Sequence, residues 1–143
     1  MSSILQDMAQ LVEEFQAFPD WETRYKRIID KAKRLSPMAE EYKTDSNKVR
    51  GCSSTVWLHA TCEQGVVTFH ADSDAVLVRG LVALLLEVYS GRKAQEILGA
   101  PPVFIEEMGL NVNLSPNRAN GLTAMVRQIM AFAAAFSAQG RAT

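Results

Sequence analysis

A cysteine follows a glycine near the middle of the chain, and two cations come just before it. The segment reads Lys48-Val49-Arg50-Gly51-Cys52-Ser53-Ser54. The sulfur nucleophile of a cysteine is its thiolate, and neighbouring Lys or Arg side chains lower the thiol pKa by stabilising that form. Gly51 permits a positive φ angle and therefore a sharp turn of the backbone. The pattern predicts a loop with the Cys52 thiol at its tip and Arg50 as a supporting cation.

The same residues also fit an inert cysteine, because free cysteine is among the most buried residue types and packs as a small hydrophobe. Spacing by itself does not separate the two interpretations. The other cysteine is Cys62. If the segment between the two is a strand, they lie on the order of 30 Å apart at about 3.3 Å per residue. A disulfide needs Cα atoms within about 7 Å, so each thiol is expected to be free.

The alternation of residues 54–62 and 67–71 predicts two antiparallel strands joined by a tight turn at Gln64-Gly65. Cys62 then pairs with Val67 and points inward. A short strand around residues 48–50 is expected to complete a three-stranded sheet. The predicted apolar face consists of Val56, Leu58, Ala60, Cys62, Val67, Phe69 and Ala71.

The same register places His59 opposite His70 on the other face of the hairpin. A zinc site normally has three or four protein ligands, and no carboxylate or thiol alternates onto this face beside the two histidines. The sequence therefore predicts surface histidines and no metal site.

Two amphipathic helices are predicted before the loop, because apolar residues recur at intervals of three and four. The first lies between Ser3 and Phe18, and Asp20 is a natural N-cap for the second. The first apolar stripe consists of Leu5, Met8, Leu11, Val12, Phe15 and Phe18. The second helix carries a basic side that is expected to face solvent, consisting of Lys26, Arg27, Lys31, Lys33 and Arg34.

A third helix is predicted to follow the hairpin, capped by Asp72-Ser73-Asp74 and ended near Ser90 by a left-handed Gly91. Apolar residues surround most of its circumference, so it should be the central core helix packed on the sheet. The Asp74 carboxylate near its start also favours the helix dipole.

Short helices are predicted over residues 92–98 and 103–108, and a final helix after Ser115-Pro116. Arg118 falls in the first turn of that helix, where a cation opposes the helix dipole, so it is expected to serve another purpose. Residues 139–143 are expected to fray. The final helix has an inward stripe of Leu122, Met125, Val126, Ile129, Ala133 and Phe136. The element order predicts an α+β fold: a small three-stranded antiparallel sheet with helices packed on one face.

Composition fits one compact domain of 143 residues with a net charge of −1. That charge does not indicate nucleic acid or an anionic membrane as a partner. The longest apolar run, residues 81–86, is much shorter than the roughly 20 residues that cross a bilayer. The first residues lack the basic region of a signal peptide. A cytoplasmic location is expected.

The motif Gly51-Cys52-Ser53-Ser54, followed by Val56-Trp57-Leu58, resembles the SufE/CsdE family, whose members accept sulfur from cysteine desulfurases. Further similar segments lie in one collinear register over about residues 15 to 136, which is more specific than any single motif. These segments are Trp21-Glu22-x-Arg24-Tyr25, Ala71-Asp72-Ser73-Asp74, Arg79-Gly80-Leu81-Val82-Ala83 and Leu114-Ser115-Pro116-Asn117-Arg118-Ala119-Asn120-Gly121-Leu122.

The resemblance implies a SufE/IscU-like fold and a sulfur-acceptor protein of iron–sulfur cluster assembly. A cysteine desulfurase of the SufS or CsdA type would pass persulfide sulfur to Cys52 and be stimulated by doing so. The sulfur would then go to a cluster scaffold complex. Pyridoxal phosphate would belong to the desulfurase, so this chain is expected to hold no cofactor and not to be a stand-alone enzyme. Gly51, Arg50, Asp74 and Arg118 would shape or dock the cysteine loop. Homodimer formation and the choice between the SufE and CsdE branches stay open.

Two functions from other classes compete with this one. A cluster scaffold would hold iron with several thiolates, up to four, and this chain has two cysteines. A cysteine hydrolase or thiol peroxidase would need a base near the thiol, and His59 and His70 are expected well along the strands.

The small residues around Cys52 also predict how the thiol is protected. Gly51 before Cys52 and the two serines after it allow changes in φ and ψ at a low energetic cost. Cys52 is therefore expected to rest partly buried against its own domain and to swing outward when a partner docks.

Overall fold

The computed structural model describes residues 3–142 and, for residues 141 and 142, the helical backbone alone. Ten regular elements follow one another in this described range, and two short 3₁₀ turns, Glu40–Tyr42 and Asp45–Asn47, precede the first strand. The elements are α1 (Ile4–Gln16), α2 (Trp21–Ala32), β1 (Val56–Glu63), β2 (Val66–Ser73), α3 (Val76–Tyr89), β3 (Arg92–Lys93), α4 (Ala94–Leu98), α5 (Val103–Glu107), α6 (Leu110–Asn113) and α7 (Pro116–Ala142).

The hairpin forms in the predicted register. His59 lies opposite His70, and Cys62 lies opposite Val67. Gln64 and Gly65 make the turn with φ angles of 54° and 80°. A two-residue turn of this left-handed kind matches the twist of the strands that it joins. The alternation of side chains is therefore sufficient to fix how β1 and β2 pair.

The sheet is three-stranded, antiparallel and in the order β1-β2-β3, as predicted, but the identity of its third strand was predicted wrongly. Residues 92 and 93, expected to begin a helix, pair instead with Val67 and Val66. Gly91 has a φ of 77° and turns the chain back onto β2. The segment expected to be a strand makes a single bridge, from Lys48 to Trp57.

Helix α3 lies at the centre of the core, as its nearly all-apolar sequence predicts. Leu81, Leu84 and Leu85 have at most 1% of their surface exposed. Helix α2 packs so closely on α3 that a Cβ atom on Gly80 would lie 2.1 Å from the backbone oxygen of Ile28. Only a glycine at this position allows the two helix backbones to approach this far.

Two details of the first helices differ from the predictions. Ile4 is buried and Leu5 is 61% exposed, so the apolar stripe of α1 begins one residue earlier than expected. Lys31 is 1% exposed rather than solvated. Its ammonium lies 3.0 Å from Glu87 and 3.5 Å from Glu14, because α1 and α3 close over this side of α2 and each supplies a carboxylate.

The predicted cap of α3 is also different. Ala75 occupies the N-cap position, with no side-chain hydrogen bond to the helix. The Asp72 carboxylate instead lies 3.0 Å from the Arg79 guanidinium, and the Ser73 hydroxyl accepts a hydrogen bond from the Ala75 N–H at 3.3 Å. Asp72 and Ser73 therefore stabilise the corner between β2 and α3 rather than capping the helix.

Helix α7 begins as predicted, because the Ser115 hydroxyl accepts a hydrogen bond from the Arg118 N–H at 3.4 Å. It continues to Ala142, so the expected fraying from residue 139 is not observed, and Thr143 lies outside the described residues. By length and composition, Pro116–Gly140 is the one described helix that could cross a membrane, with a mean hydropathy of 1.3. Its apolar residues include Leu122, Ile129 and Ala133, which are buried in the domain core.

Candidate functional site

The Cys52 loop is held at both ends by the domain. Gly51 has a φ of 94° and packs on α7, where a Cβ atom on it would lie 3.4 Å from the Cβ of Ala124. After the cysteine, the Thr55 N–H donates a hydrogen bond to the Asp74 carboxylate at 3.2 Å. The Asp74 N–H returns a bond to the Thr55 carbonyl at 3.3 Å. Asp74 is therefore placed beside the loop and tied to its far end.

The Cys52 thiol points inward against α3 and α7. It is half-buried, and its S–H donates to the backbone carbonyl of Gly121 at 3.6 Å. The apolar wall consists of Val78, Leu81 and Met125. The cavity beside the thiol has a volume of about 10 Å³, on the order of what one water molecule needs. The resting thiol is therefore packed against its own domain, which agrees with the predicted resting state.

The pKa of the Cys52 thiol is shifted in the direction opposite to the prediction. Burial raises the pKa of the Cys52 thiol above its ordinary value, because a thiolate is poorly solvated in this cleft. The Lys48 ammonium lies 3.0 Å from Asp45, and the Arg50 side chain is exposed. The expectation that these two cations lower the thiol pKa is wrong in this resting state.

Arg118 lines the rim of the thiol cleft, and its side chain is exposed. Among the described residues, no carboxylate lies within ion-pair distance of its guanidinium. Gly51 thus lies directly before Cys52 and Arg50 one residue earlier, Arg118 lies on the rim of the thiol cleft, and Asp74 contacts Thr55 at the far end of the loop.

Sequence reasoning did not identify Gly121 as a contact of the thiol. A Cβ atom at this position would lie 3.5 Å from the Cys52 Sγ, so the helix backbone approaches the thiol closely. A glycine inside a helical pattern is the signal that could have identified it, since such a residue often marks a close approach of the backbone.

The two histidines do not take part in this site. His59 and His70 face each other with ring centroids 6.4 Å apart, and Tyr42 stacks on His59 at 4.3 Å. Neither lines the thiol cleft. Within residues 3–142, no group of three or more His, Cys, Asp or Glu side chains is placed to hold a metal ion.

The second cysteine was predicted to point inward, and this prediction is wrong. Cys62 is exposed. Residues 61–63 form the end of an edge strand, and all three are exposed. Cys62 therefore provides an exposed reference thiol within the same molecule.

Alkylation should separate the two thiols. Iodoacetamide reacts with thiolate, so at neutral pH we expect Cys62 to be modified several-fold faster than Cys52. Because burial raises the pKa of the Cys52 thiol, its alkylation rate should rise at a higher pH than that of a small model thiol. The burial of neutral Cys52 stabilises the closed loop below the ordinary thiol pKa of about 8.5, and this contribution is lost as pH rises through the raised value. Measurements on Cys52→Ser and Cys62→Ser would assign the two rates, and a faster Cys52 at neutral pH would contradict the burial.

Comparison with known proteins finds one family model and several relatives that are similar to this chain. The model of the SufE family, described as an Fe-S metabolism associated domain, matches residues 9–133. A SufE-like protein of Synechocystis is 44% identical over 91% of this chain and 82% of its own length. One from Rhizobium etli is 46% identical over 84% of both chains.

A more distant relative and a solved structure extend the likeness. SufE-like protein 1, chloroplastic/mitochondrial, of Arabidopsis thaliana is 40% identical over 84% of this chain, which corresponds to 33% of the plant protein. The solution structure of a hypothetical protein from Thermus thermophilus superposes with a TM-score of 0.78 at 25% identity. That alignment covers 92% of this chain and 96% of the other.

Proposed function

Because the chain belongs to the SufE family and therefore has a role in Fe–S metabolism, we propose that it accepts sulfur on Cys52 from a cysteine desulfurase. The observation that carries the proposal is the Cys52 loop itself. It carries a free thiol that directly follows a turn and packs against α7, and both ends of the loop are held by the domain. A purely structural cysteine would not need a positive-φ glycine before it.

The transfer is a thiolate displacement with no net change in oxidation state. The Cys52 thiol loses its proton to solvent, and its thiolate attacks the outer sulfur of the persulfide on the desulfurase cysteine. A new S–S bond forms to Cys52 while the donor's S–S bond breaks, and the donor cysteine leaves as a thiolate. The outer sulfur thus moves onto Cys52 as a persulfide.

The other parts of the reaction belong to partners. Pyridoxal phosphate on a desulfurase of the SufS or CsdA type would release the sulfur of free cysteine, and a cluster scaffold complex in the cytoplasm would take it from Cys52. The chain then acts as a sulfur carrier and an activator of the desulfurase rather than as a stand-alone enzyme. Neither a nucleic acid nor a membrane has a part in this scheme.

The proposal is tested by the turnover of a purified cysteine desulfurase. Removing the sulfur from its persulfide frees the enzyme for the next cysteine, so adding this chain should increase the rate of alanine formation. The increase should saturate with concentration. An unchanged rate with desulfurases of both the SufS and CsdA types would count against the proposal.

The resting position of Cys52 suits a carrier, because a half-buried thiol is partly shielded from stray reagents. Exposure of the thiol would require the loop to leave the contacts with Gly121 and Ala124. The Gly51 φ of 94° means that the resting loop depends on a conformation that other residues adopt only with strain. Docking of the donor would shift the loop from the buried state to the exposed one.

Replacing this glycine should open the loop. In Gly51→Ala, the strain at positive φ should cost about 1 to 3 kcal/mol in the resting state. Since 1.4 kcal/mol corresponds to a factor of ten in population, this range should make alkylation of Cys52 about 5- to 150-fold faster.

Gly65→Ala is the matched control for this variant. Gly65 has a φ of 80° in the hairpin turn, and a Cβ atom on it would meet nothing within 4 Å. Gly65→Ala should introduce a similar backbone strain without changing the reactivity of Cys52. Equal Cys52 rates in the two variants would contradict the role given to Gly51.

A further inference from the structure

The arginines of this domain divide into two groups. Five of those with described side chains have partners: Arg27, Arg34, Arg79 and Arg92 pair with carboxylates, and Arg24 donates to a backbone carbonyl and lies over the Trp21 ring. Arg50, Arg118 and Arg127 are exposed and have no ion-pair partner among the described residues. All three line the thiol cleft or the cleft next to it.

Two of them, Arg50 and Arg127, line a polar cleft of about 290 Å³, which we call the arginine cleft. Arg50, Lys48 and Asn47 lie on its loop side, and Arg127 lies on its α7 side. The residues that line it include three cations and no carboxylate. One carboxylate lies nearby, since Asp45 pairs with Lys48. Within the described part of the chain, Arg50 and Arg127 are therefore the cations of this cleft that have no ion-pair partner.

The cleft between α1, α2 and α3 shows that this charge pattern is not general. That cleft, of about 330 Å³, is lined by the cations Arg27, Lys31 and Arg34 and by the anions Asp7, Glu14 and Glu87. Its charges pair with one another across the helices. The arginine cleft has no such internal balance, and its positive charge is therefore available to an anionic partner.

The arginine cleft also adjoins the reactive cysteine. Arg50 directly precedes Gly51, which packs on Ala124 of α7, and Ala124 lines the cleft. The carbonyl that accepts the Cys52 S–H belongs to Gly121, one turn earlier in the same helix. A partner seated between Arg50 and Arg127 would therefore lie directly beside the loop that carries the thiol.

From these positions we infer that the arginine cleft binds an acidic surface segment of the sulfur-donor protein, with carboxylates on Arg50 and Arg127. The inference rests on the proposed function for the identity of the donor. Guanidinium groups suit this task because their planar fork can bind a carboxylate through two parallel hydrogen bonds. Docking at this cleft would fix the donor beside Cys52 and make sulfur transfer depend on salt.

The first test uses the protein alone, with a fluorescein-labelled hexaglutamate peptide as the probe and Arg127→Glu as the variant. Anisotropy should show binding that weakens as salt rises from about 0.1 M to about 1 M, since the screening length falls from about 10 Å to about 3 Å. Charge reversal places like charges together and should weaken binding by about tenfold or more. Lys26→Glu is the control: it makes the same charge change at an exposed α2 position outside the cleft and should bind like wild type.

Two results with the peptide would overturn the inference. One is equal affinity of wild type and Arg127→Glu, or no binding by either at low salt. The other is tighter binding of a uridine hexanucleotide than of hexaglutamate, which would indicate a nucleic-acid surface.

The second test uses the desulfurase assay. For Arg127→Glu, the concentration of this chain that half-saturates alanine formation should rise about tenfold, with a smaller change in the maximal rate. An unchanged half-saturating concentration, with wild type still stimulating the enzyme, would overturn the inference and leave the proposed function intact. If wild type does not stimulate the enzyme but hexaglutamate still binds at Arg127, the proposed function fails, while the cleft remains a site for an acidic segment of another partner protein.

Discussion

Gly80→Ala is expected to lower the free energy of unfolding by about 3 kcal/mol or more. The added Cβ atom would lie 2.1 Å from the backbone oxygen of Ile28 and 2.7 Å from its carbonyl carbon. A backbone oxygen inside α2 cannot rotate away as a flexible side chain can, so α2 must move away from α3. Overpacking of this kind typically costs about 1 to 3 kcal/mol, and more where the backbone has to shift.

Gly140→Ala provides the control, since Gly140 is another helical glycine and an added Cβ atom there would meet nothing within 4 Å. It should be neutral or slightly stabilising, because alanine is favoured over glycine in a helix by up to about 1 kcal/mol. The two midpoints of urea unfolding should therefore move apart. Equal midpoints would show that α2 and α3 are not packed as closely as described.

Cys52→Ser is expected to reduce stimulation of the desulfurase to background while leaving the fold intact. A hydroxyl is nearly the size of a thiol, but it does not ionise at neutral pH and cannot form the persulfide. Cys62→Ser should behave like wild type in the same assay, because Cys62 is exposed at the end of β1 and lies outside the thiol cleft.

Alanine formation at saturating concentrations of each variant measures this difference, with urea midpoints to show that both remain folded. Stimulation that survives in Cys52→Ser but is lost in Cys62→Ser would reverse the assignment of the two thiols.

Local patterns were enough to predict the hairpin and the beginning of the last helix. The register of β1 and β2 follows from side chains that alternate with a period of two, because a slip by one residue would expose the whole apolar face. Ser115 caps α7 through a bond to a residue three positions later. Neither feature depends on distant parts of the chain.

The features that were predicted wrongly depend on how distant elements pack. Lys31 is buried because α1 covers it and because Glu87 on α3 reaches its ammonium. Cys62 is exposed because β1 is an edge strand whose last residues lie in solvent. A helical or strand pattern shows which side chains share a face, but it does not show which neighbour covers that face.

The pKa of the Cys52 thiol is the clearest example of a property that adjacent residues in the sequence do not determine. Lys48 and Arg50 precede Cys52 in sequence, and their charges alone would lower its pKa. In the fold, Lys48 pairs with Asp45, while Gly121 and Met125 from α7 enclose the thiol. Burial by a helix some 70 residues later therefore raises the pKa of the Cys52 thiol.

The most direct test is the mass of the wild-type chain after incubation with a cysteine desulfurase, pyridoxal phosphate and free cysteine. We expect the intact mass to increase by one sulfur atom, and peptide mapping should place that sulfur on Cys52. Treatment with a reducing thiol should remove it. No added sulfur, or sulfur found on Cys62 and absent from Cys52, would contradict the account.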